Sequence, residues 1–128
     1  MARSADSRRA AQRKGRFGEA LCAAWLRLRG WRILARGYVT GRGSGAGEVD
    51  IIAQRGSLVA FMEIKTRPTE IEAIEAITPA QTRRIARGAE AFLASRPDLA
   101  GLDVRFDALL VIPHRLPRHI PDAWRPEW

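Results

Sequence analysis

Cysteine is nearly missing from this sequence: among its 128 residues there is one, Cys22. A lone cysteine excludes an intramolecular disulfide and the zinc sites built from several thiolates. Cys22 stands among Ala, Leu and Trp, the setting of a small buried hydrophobe. Long apolar runs are missing too. No segment approaches the ~18–20 consecutive apolar residues needed to span a bilayer, so no membrane role is expected. The start, Met-Ala-Arg-Ser-Ala-Asp, has no apolar run behind it. No secretory signal is expected, and a cytoplasmic location follows by default. The glycine-rich stretch Gly41-Arg-Gly-Ser-Gly-Ala-Gly47 lacks a Gly-Lys-Ser/Thr ending and opens no helix, which excludes a P-loop. Internal repeats are absent. His114 and His119 lie in a proline-rich tail, where a ligand pair on a helix is not expected.

Positive charge is abundant. Lys and Arg total 22 against 14 Asp and Glu, a formal net charge of +8, and all but Lys14 and Lys65 are arginine. Guanidinium forks match phosphate oxygens in pairs and stay charged at any usable pH. The balance favours an anionic partner, of which nucleic acid is the commonest, although an arginine-rich surface of no special role has the same composition. The length suits one domain, able to bury roughly two thirds of its unfolded surface without a staple.

Residues 1–13 read as a flexible basic arm and 14–112 as one domain. From Lys14 to Arg29, Phe17, Leu21, Ala24, Trp25 and Leu28 recur at helical spacing, with Cys22 and Leu26 widening the stripe. Gly30 is a plausible stop. Trp31 to Tyr38 predicts a strand. Glu48–Gln54 and Leu58–Lys65 predict two more, joined through Arg55-Gly56-Ser57 as an antiparallel hairpin. Thr66–Ile77 reads as acidic and irregular. Thr78, Pro79 and Gln81 predict a capped helix start; the helix runs to about Ser95, with Ile85, Ala89, Phe92 and Leu93 on its apolar face. Val104–Ile112 is a last strand. Residues 113–128, with Pro113, Pro117, Pro121 and Pro126, are too proline-rich for a helix or an inner strand. The order is helix, three strands, helix, strand: an α/β domain.

Three ionisable residues interrupt otherwise apolar strands. Asp50 is followed at once by Ile51 and Ile52, and Glu63 and Lys65 end the run Val59-Ala-Phe-Met. Alternation puts Glu63 and Lys65 on one face, and the short turn brings Asp50 opposite Glu63. Two adjacent carboxylates repel and are costly to bury. A divalent cation relieves this, and hard oxygen ligands suit Mg²⁺ or Mn²⁺. Phosphodiester hydrolysis uses such a site: the metal polarises a phosphoryl oxygen and acidifies water, and a lysine stabilises the developing charge. Taken singly, each of the three also reads as an ordinary surface charge at a strand end.

Asp50, twelve residues, then Glu63-Ile64-Lys65 resembles the D…(D/E)-x-K signature of the PD-(D/E)XK superfamily. Gly18-Glu19, Gly47-Glu-Val-Asp-Ile-Ile52, Met62-Glu-Ile-Lys-Thr-Arg67 and Arg105-Phe-Asp107 together resemble the YraN family of small bacterial proteins, over roughly residues 13–112. The resemblance implies a restriction endonuclease-like core, a mixed sheet flanked by helices. Members similar to archaeal Holliday-junction resolvases add a glutamate from the first helix to the metal site, and Glu19 matches that position. The helical wheel alone puts Glu19 opposite the Phe17/Leu21/Leu28 stripe, as a surface residue. Where the family often carries a basic residue early in the second helix, this chain has Gln81.

The expected function is a Mg²⁺- or Mn²⁺-dependent endonuclease or exonuclease on DNA, with branched or abnormal DNA as candidate substrates. Asp50, Glu63, Glu19 and the main-chain carbonyl of Ile64 would hold metal, and Lys65 would act on water or phosphate. Arg13, Lys14, Arg67, Gln81, Arg83, Arg84 and Arg87 would contact the backbone. Two alternatives stand beside it: a nucleic-acid-binding module of the same fold without turnover, and a small interaction or homodimerisation module using its basic face and aromatic tail. Asp107 is open between a structural ion pair and a site role. Trp124 and Trp128 are open between packing and base stacking, and the acidic residues Glu70, Glu72 and Glu75 between folding away and gating the site.

Overall fold

The computed structural model describes residues 5–41 and 45–126, with side chains from Phe17 onward. Along the chain come α1 (Ala5–Leu28), β1 (Arg32–Thr40), β2 (Gly47–Arg55), β3 (Leu58–Thr66), α2 (Glu70–Glu75), α3 (Pro79–Ala94), β4 (Asp103–Val111) and β5 (Arg118–Ile120). The strands form one sheet in the order β1-β2-β3-β4-β5. Every pairing is antiparallel except β3 with β4. That parallel pair requires a crossover, which α2 and α3 supply. α1 packs on one face of the sheet through Cys22, Ala23 and Leu26 against Ile51, Ala53, Ala60, Met62 and Leu109. α3 covers the other through Ile85, Ala89 and Phe92 against Val49, Ile52, Val59, Phe61 and Phe106. The result is an α/β, restriction endonuclease-like core: an open mixed sheet with a helix on each side. No helix among the described residues is long and apolar enough to cross a membrane.

The central hairpin follows its sequence signals. Arg55 pairs with Leu58, leaving Gly56 and Ser57 as a two-residue turn, and Gly56 takes φ +60°, which such turns require. α3 opens with the expected capping box: Thr78 accepts from Gln81 N–H, and the Gln81 side chain accepts from Thr78 N–H.

Four expectations are corrected. α1 begins at Ala5 rather than near Lys14, because Ala, Arg and Gln are strong helix formers; of the expected basic arm, residues 1–4 and the side chains of Arg13 and Lys14 lie outside the described residues. The face of α1 is also different. Phe17 and Leu28 are exposed, at 71% and 87%, and the buried positions are Cys22, Ala23 and Leu26. The small side chains of Cys22 and Ala23 let the helix approach the sheet closely, with Leu26 buried beside them. The acidic segment after β3 is partly helical: Thr69 caps α2 by accepting from Glu72 N–H, and Ala73 is buried. Finally, the expected order of helix, three strands, helix and strand lacks one strand: the proline-rich tail, which holds no inner strand as its prolines require, adds one at the edge of the sheet. Arg118-His-Ile120 pairs with β4 between Pro117 and Pro121, where missing N–H donors are tolerated.

The tail is tied down by Asp107, a fully buried carboxylate on β4. It receives a two-pronged contact from Arg105 at 2.8 and 2.9 Å and the backbone N–H of Asp122 at 3.0 Å, and it lies 2.6 Å from His119 Nε2. Burial pushes its pKa up, but the hydrogen bonds outweigh that and hold it below the usual range. Asp107 is thus a structural pairing. Trp124 packs on Phe106, ring centroids 6.0 Å apart, in keeping with a packing role. Trp128 lies outside the described residues.

Gly47 and Gly88 mark where α3 crosses the start of β2. A Cβ on Gly47 would stand 2.4 Å from the Gly88 nitrogen, and one on Gly88 would stand 2.9 Å from a Val49 methyl. Backbone against backbone cannot give way. Gly47→Ala is expected to cost about 3 kcal/mol, at the upper end of overpacking penalties, read as a lowered urea midpoint at unchanged m-value.

Candidate active site

The main-chain ladder between β2 and β3 runs from Arg55↔Leu58 to Ile51↔Met62. One step further along each strand stand Asp50 and Glu63. Asp50 does not continue the ladder through its backbone alone. Its Oδ2 accepts the N–H of Ile64 at 2.8 Å, so a carboxylate stands where a neighbouring carbonyl would otherwise serve. Glu63 and Lys65, two apart on β3, share a face as alternation requires. Lys65 Nζ lies 3.4 Å from Glu63 Oε1, with the side chains only 10% and 13% exposed.

Burying these groups together shapes their acidity. Burial is the main force raising the pKa of Asp50; the negative charge of Glu48 adds to it, while the Ile64 N–H, Lys65 and a hydrogen bond with Glu63 oppose it. Glu63 is pushed up to about 7, first by burial and then by the charge of Asp50, against the pull of Lys65. The two carboxylates are within hydrogen-bonding reach of each other. Taking up a proton relieves the repulsion between them, which is why both are raised.

Glu19 joins this neighbourhood from α1. With Cys22, Ala23 and Leu26 it lies on the i, i+3, i+4, i+7 face that meets the sheet, contrary to the surface position read from the helical wheel. Its pKa is raised mainly by burial; Arg36 opposes this and the charge of Asp50 adds to it. Arg36 Nε is 3.4 Å from Glu19 Oε1. Gly37, at φ +57°, faces the same carboxylate, which a Cβ there would meet at 3.5 Å. Sequence reasoning missed Arg36 and Gly37. The available signal was a glycine inside a strand, which marks a bend or a close approach. Cys22 also feels Asp50, but chiefly burial, and its thiol is raised to about 12. It is no nucleophile at neutral pH.

Among the described residues, no three of Asp, Glu, His or Cys converge closely enough to enclose an ion by themselves. The donor set is two carboxylates, Asp50 and Glu63, beside the main chain of Ile64, with Glu19 nearby. That set suits Mg²⁺, which typically binds through one or two carboxylates and keeps several waters. The mutual repulsion of two buried carboxylates is the physical reason that a divalent cation suits this donor set.

The expected phosphate-contact residues are dispersed. Arg67 is exposed beyond Lys65 and donates to the Thr66 carbonyl at 2.8 Å. Gln81 is occupied in its capping box. Arg83 is exposed, Arg84 is held by Glu48 at 2.7 Å, and Arg87 Nε reaches the Ala46 carbonyl at 3.4 Å. Of the acidic residues after β3, Glu70 is paired with Arg118 at 2.7 Å, while Glu72 and Glu75 are exposed.

Comparison with known proteins matches residues 18–111 to the model of "Uncharacterised protein family UPF0102". A UPF0102 protein of Paramagnetospirillum magneticum is 64% identical over 116 residues, covering 91% of this chain and 90% of the relative. Those of Rhodopseudomonas palustris (strain HaA2) and Methylocella silvestris are 47% and 48% identical, each over 94% of this chain and 91% and 94% of their own lengths.

Proposed function

This chain belongs to the UPF0102 family, the YraN family that its motifs resemble, and we propose that it is a divalent-metal-dependent nuclease hydrolysing phosphodiester bonds in DNA. One observation carries the reading. Asp50 and Glu63 are buried side by side, short of positive charge, with a buried lysine 3.4 Å from Glu63. A purely structural ion pair needs one carboxylate per lysine. The second acid is a cost unless a cation joins it.

In this reading Asp50 and Glu63 hold Mg²⁺ or Mn²⁺, with the Ile64 carbonyl as a further oxygen donor and waters completing the shell. The bound ion supplies Lewis-acid polarisation of a phosphoryl oxygen and a more acidic water. The protein's own groups do the rest. Ile64 N–H fixes the Asp50 carboxylate, so its free oxygen is held in one orientation. Lys65 Nζ donates to the attacking water or to the phosphoryl oxygen on which charge builds, and its near-complete burial strengthens that hydrogen bond. Arg36 holds Glu19 at the edge of the cluster. Arg83 and Arg87 on α3 contact the backbone of the nucleic acid, and the net charge of +8 draws it in.

The test is incubation of wild type and the Glu63→Ala/Lys65→Ala double variant with Mn²⁺ or Mg²⁺ and linear, single-stranded or four-way-junction DNA at low salt. Cleavage by wild type alone is expected, and the preferred DNA identifies the substrate structure. Equal cleavage by both proteins, or salt-sensitive binding without cleavage under any divalent ion, would overturn the nuclease reading; the latter leaves a binding module.

A further inference from the structure

The hairpin turn between β2 and β3 lies five residues along each strand from Asp50 and Glu63, and arginines meet two tryptophans there. The Arg29 guanidinium carbon stands 4.8 Å from the Trp25 ring centroid, and that of Arg55 stands 4.5 Å from the Trp31 ring. Arg55 also donates to the Arg29 main-chain carbonyl at 3.4 Å, which ties the turn to the chain just beyond α1. Both arginines are exposed, Trp25 is half-buried and Trp31 is buried. Each guanidinium therefore rests on a fixed ring.

These two differ from many arginines of the fold. Arg36, Arg84, Arg96, Arg105, Arg118 and Arg125 each face a carboxylate. Arg29 and Arg55 make no ion pair among the described residues. Arg27, also exposed, adds a further positive charge in the last turn of α1. A guanidinium stacked on an indole keeps its in-plane N–H donors free, and it has already given up much of the rotamer freedom that binding would cost.

We propose that Arg29 and Arg55, stacked on Trp25 and Trp31, form a second phosphate-binding platform that grips the backbone of duplex DNA away from the cleavage site. The proposal rests on the nuclease reading above, in that the DNA held here is the DNA cut at Glu63. The spacing gives it a length. Arg55 is five residues along β2 from Asp50, about 17 Å at 3.3 Å per residue, or about five base pairs of duplex at 3.4 Å each. α1 spans the same interval, with Glu19 at the site and Arg29 at the platform. The platform also explains where the charge excess can act, since Arg84 on α3 is already taken by Glu48.

A purely structural role makes a different forecast. Arginines at a helix C-terminus complement its dipole, and there they contribute to stability and not to DNA binding. The full chain is titrated against a fluorescently labelled duplex of about 20 base pairs in EDTA, where no cleavage occurs, over a series of salt concentrations. Arg29→Gln/Arg55→Gln is expected to bind on the order of tenfold more weakly at low salt, with the slope of log K against log[salt] reduced by about 2, as loss of two phosphate contacts requires. If the double variant does not fold, Arg29→Gln alone, which removes an exposed guanidinium, should reduce the slope by about 1. An unchanged slope and affinity in a folded variant, with wild type binding and cutting normally, overturns the platform and leaves the nuclease reading intact. Absence of any duplex binding by wild type overturns the platform too. If wild type still cuts single strands in that case, the nuclease reading survives; if it cuts nothing, both fall.

Discussion

Lys65→Ala is expected to bind Mn²⁺ and DNA within a few-fold of wild type, and to cleave on the order of 10³-fold more slowly, the loss that follows removal of one preorganised donor to a developing charge. The geometry separates binding from turnover. Asp50 and Glu63 keep their positions without the lysine, because Asp50 is held by the Ile64 N–H at 2.8 Å and Glu63 is carried on β3 between two paired strands. Lys65 contributes no metal ligand, only a positive charge beside Glu63. Single-turnover cleavage with saturating enzyme, set against anisotropy of the uncleaved complex, reads the two quantities separately. Equal losses in binding and turnover would make Lys65 a structural partner of Glu63. Retained cleavage would remove it from the mechanism. Lys65→Arg restores the charge but not the compact ammonium, and should recover only part of the rate.

The second large effect concerns acid–base balance in metal-free protein. In the folded chain Glu63 keeps its proton up to about 7, whereas its ordinary value is 4.5. Between those values the unfolded chain binds fewer protons than the folded one, so stability falls as pH rises. The contribution is fully present below pH ~4.5 and is gone above ~7, a span worth at most about 3 kcal/mol. Asp50, also raised, shifts in the same direction. In EDTA at pH 8 the Glu63→Gln variant should therefore be more stable than wild type, since a neutral amide no longer repels Asp50. At pH 4.5 the two should agree closely. Mn²⁺ should raise the Tm of wild type at pH 8 and leave that of Glu63→Gln nearly unmoved, because a ligand that binds only the folded state stabilises it by mass action. Denaturation at the two pH values, with and without Mn²⁺, measures all four cases. A wild type that is most stable at pH 8 without metal would show that the carboxylate pair is not strained, and would remove the main support for a cation there.

Much of this was legible in the residues. The apolar runs, the Gly56 turn and the Thr78–Pro79–Gln81 cap determine the hairpin and α3, since each depends on neighbours within a few positions. Alternation determined that Glu63 and Lys65 share a face, and the length of the turn brought Asp50 opposite Glu63. Motif spacing determined the family. Long-range packing is different. Phe17 and Leu28 are as apolar as any core residue, yet they are exposed, because the sheet accepts the small face of Cys22 and Ala23. That choice rotates Glu19 inward to Arg36 and Gly37. The α2 cap at Thr69 was missed because six residues carry too weak a periodic signal, and its stability comes from burying Ala73. The tail strand needs an edge to pair with, which only the assembled sheet offers. Asp107 needed Arg105, His119 and the N–H of Asp122 from three places along the chain before its structural role was decided. Local chemistry thus determined which ionisable groups this protein brings to the candidate site. Only the tertiary structure decided how deeply Asp50, Glu63 and Lys65 are buried, and burial is what turns three ordinary charges into a cluster whose carboxylates hold their protons well above the usual range.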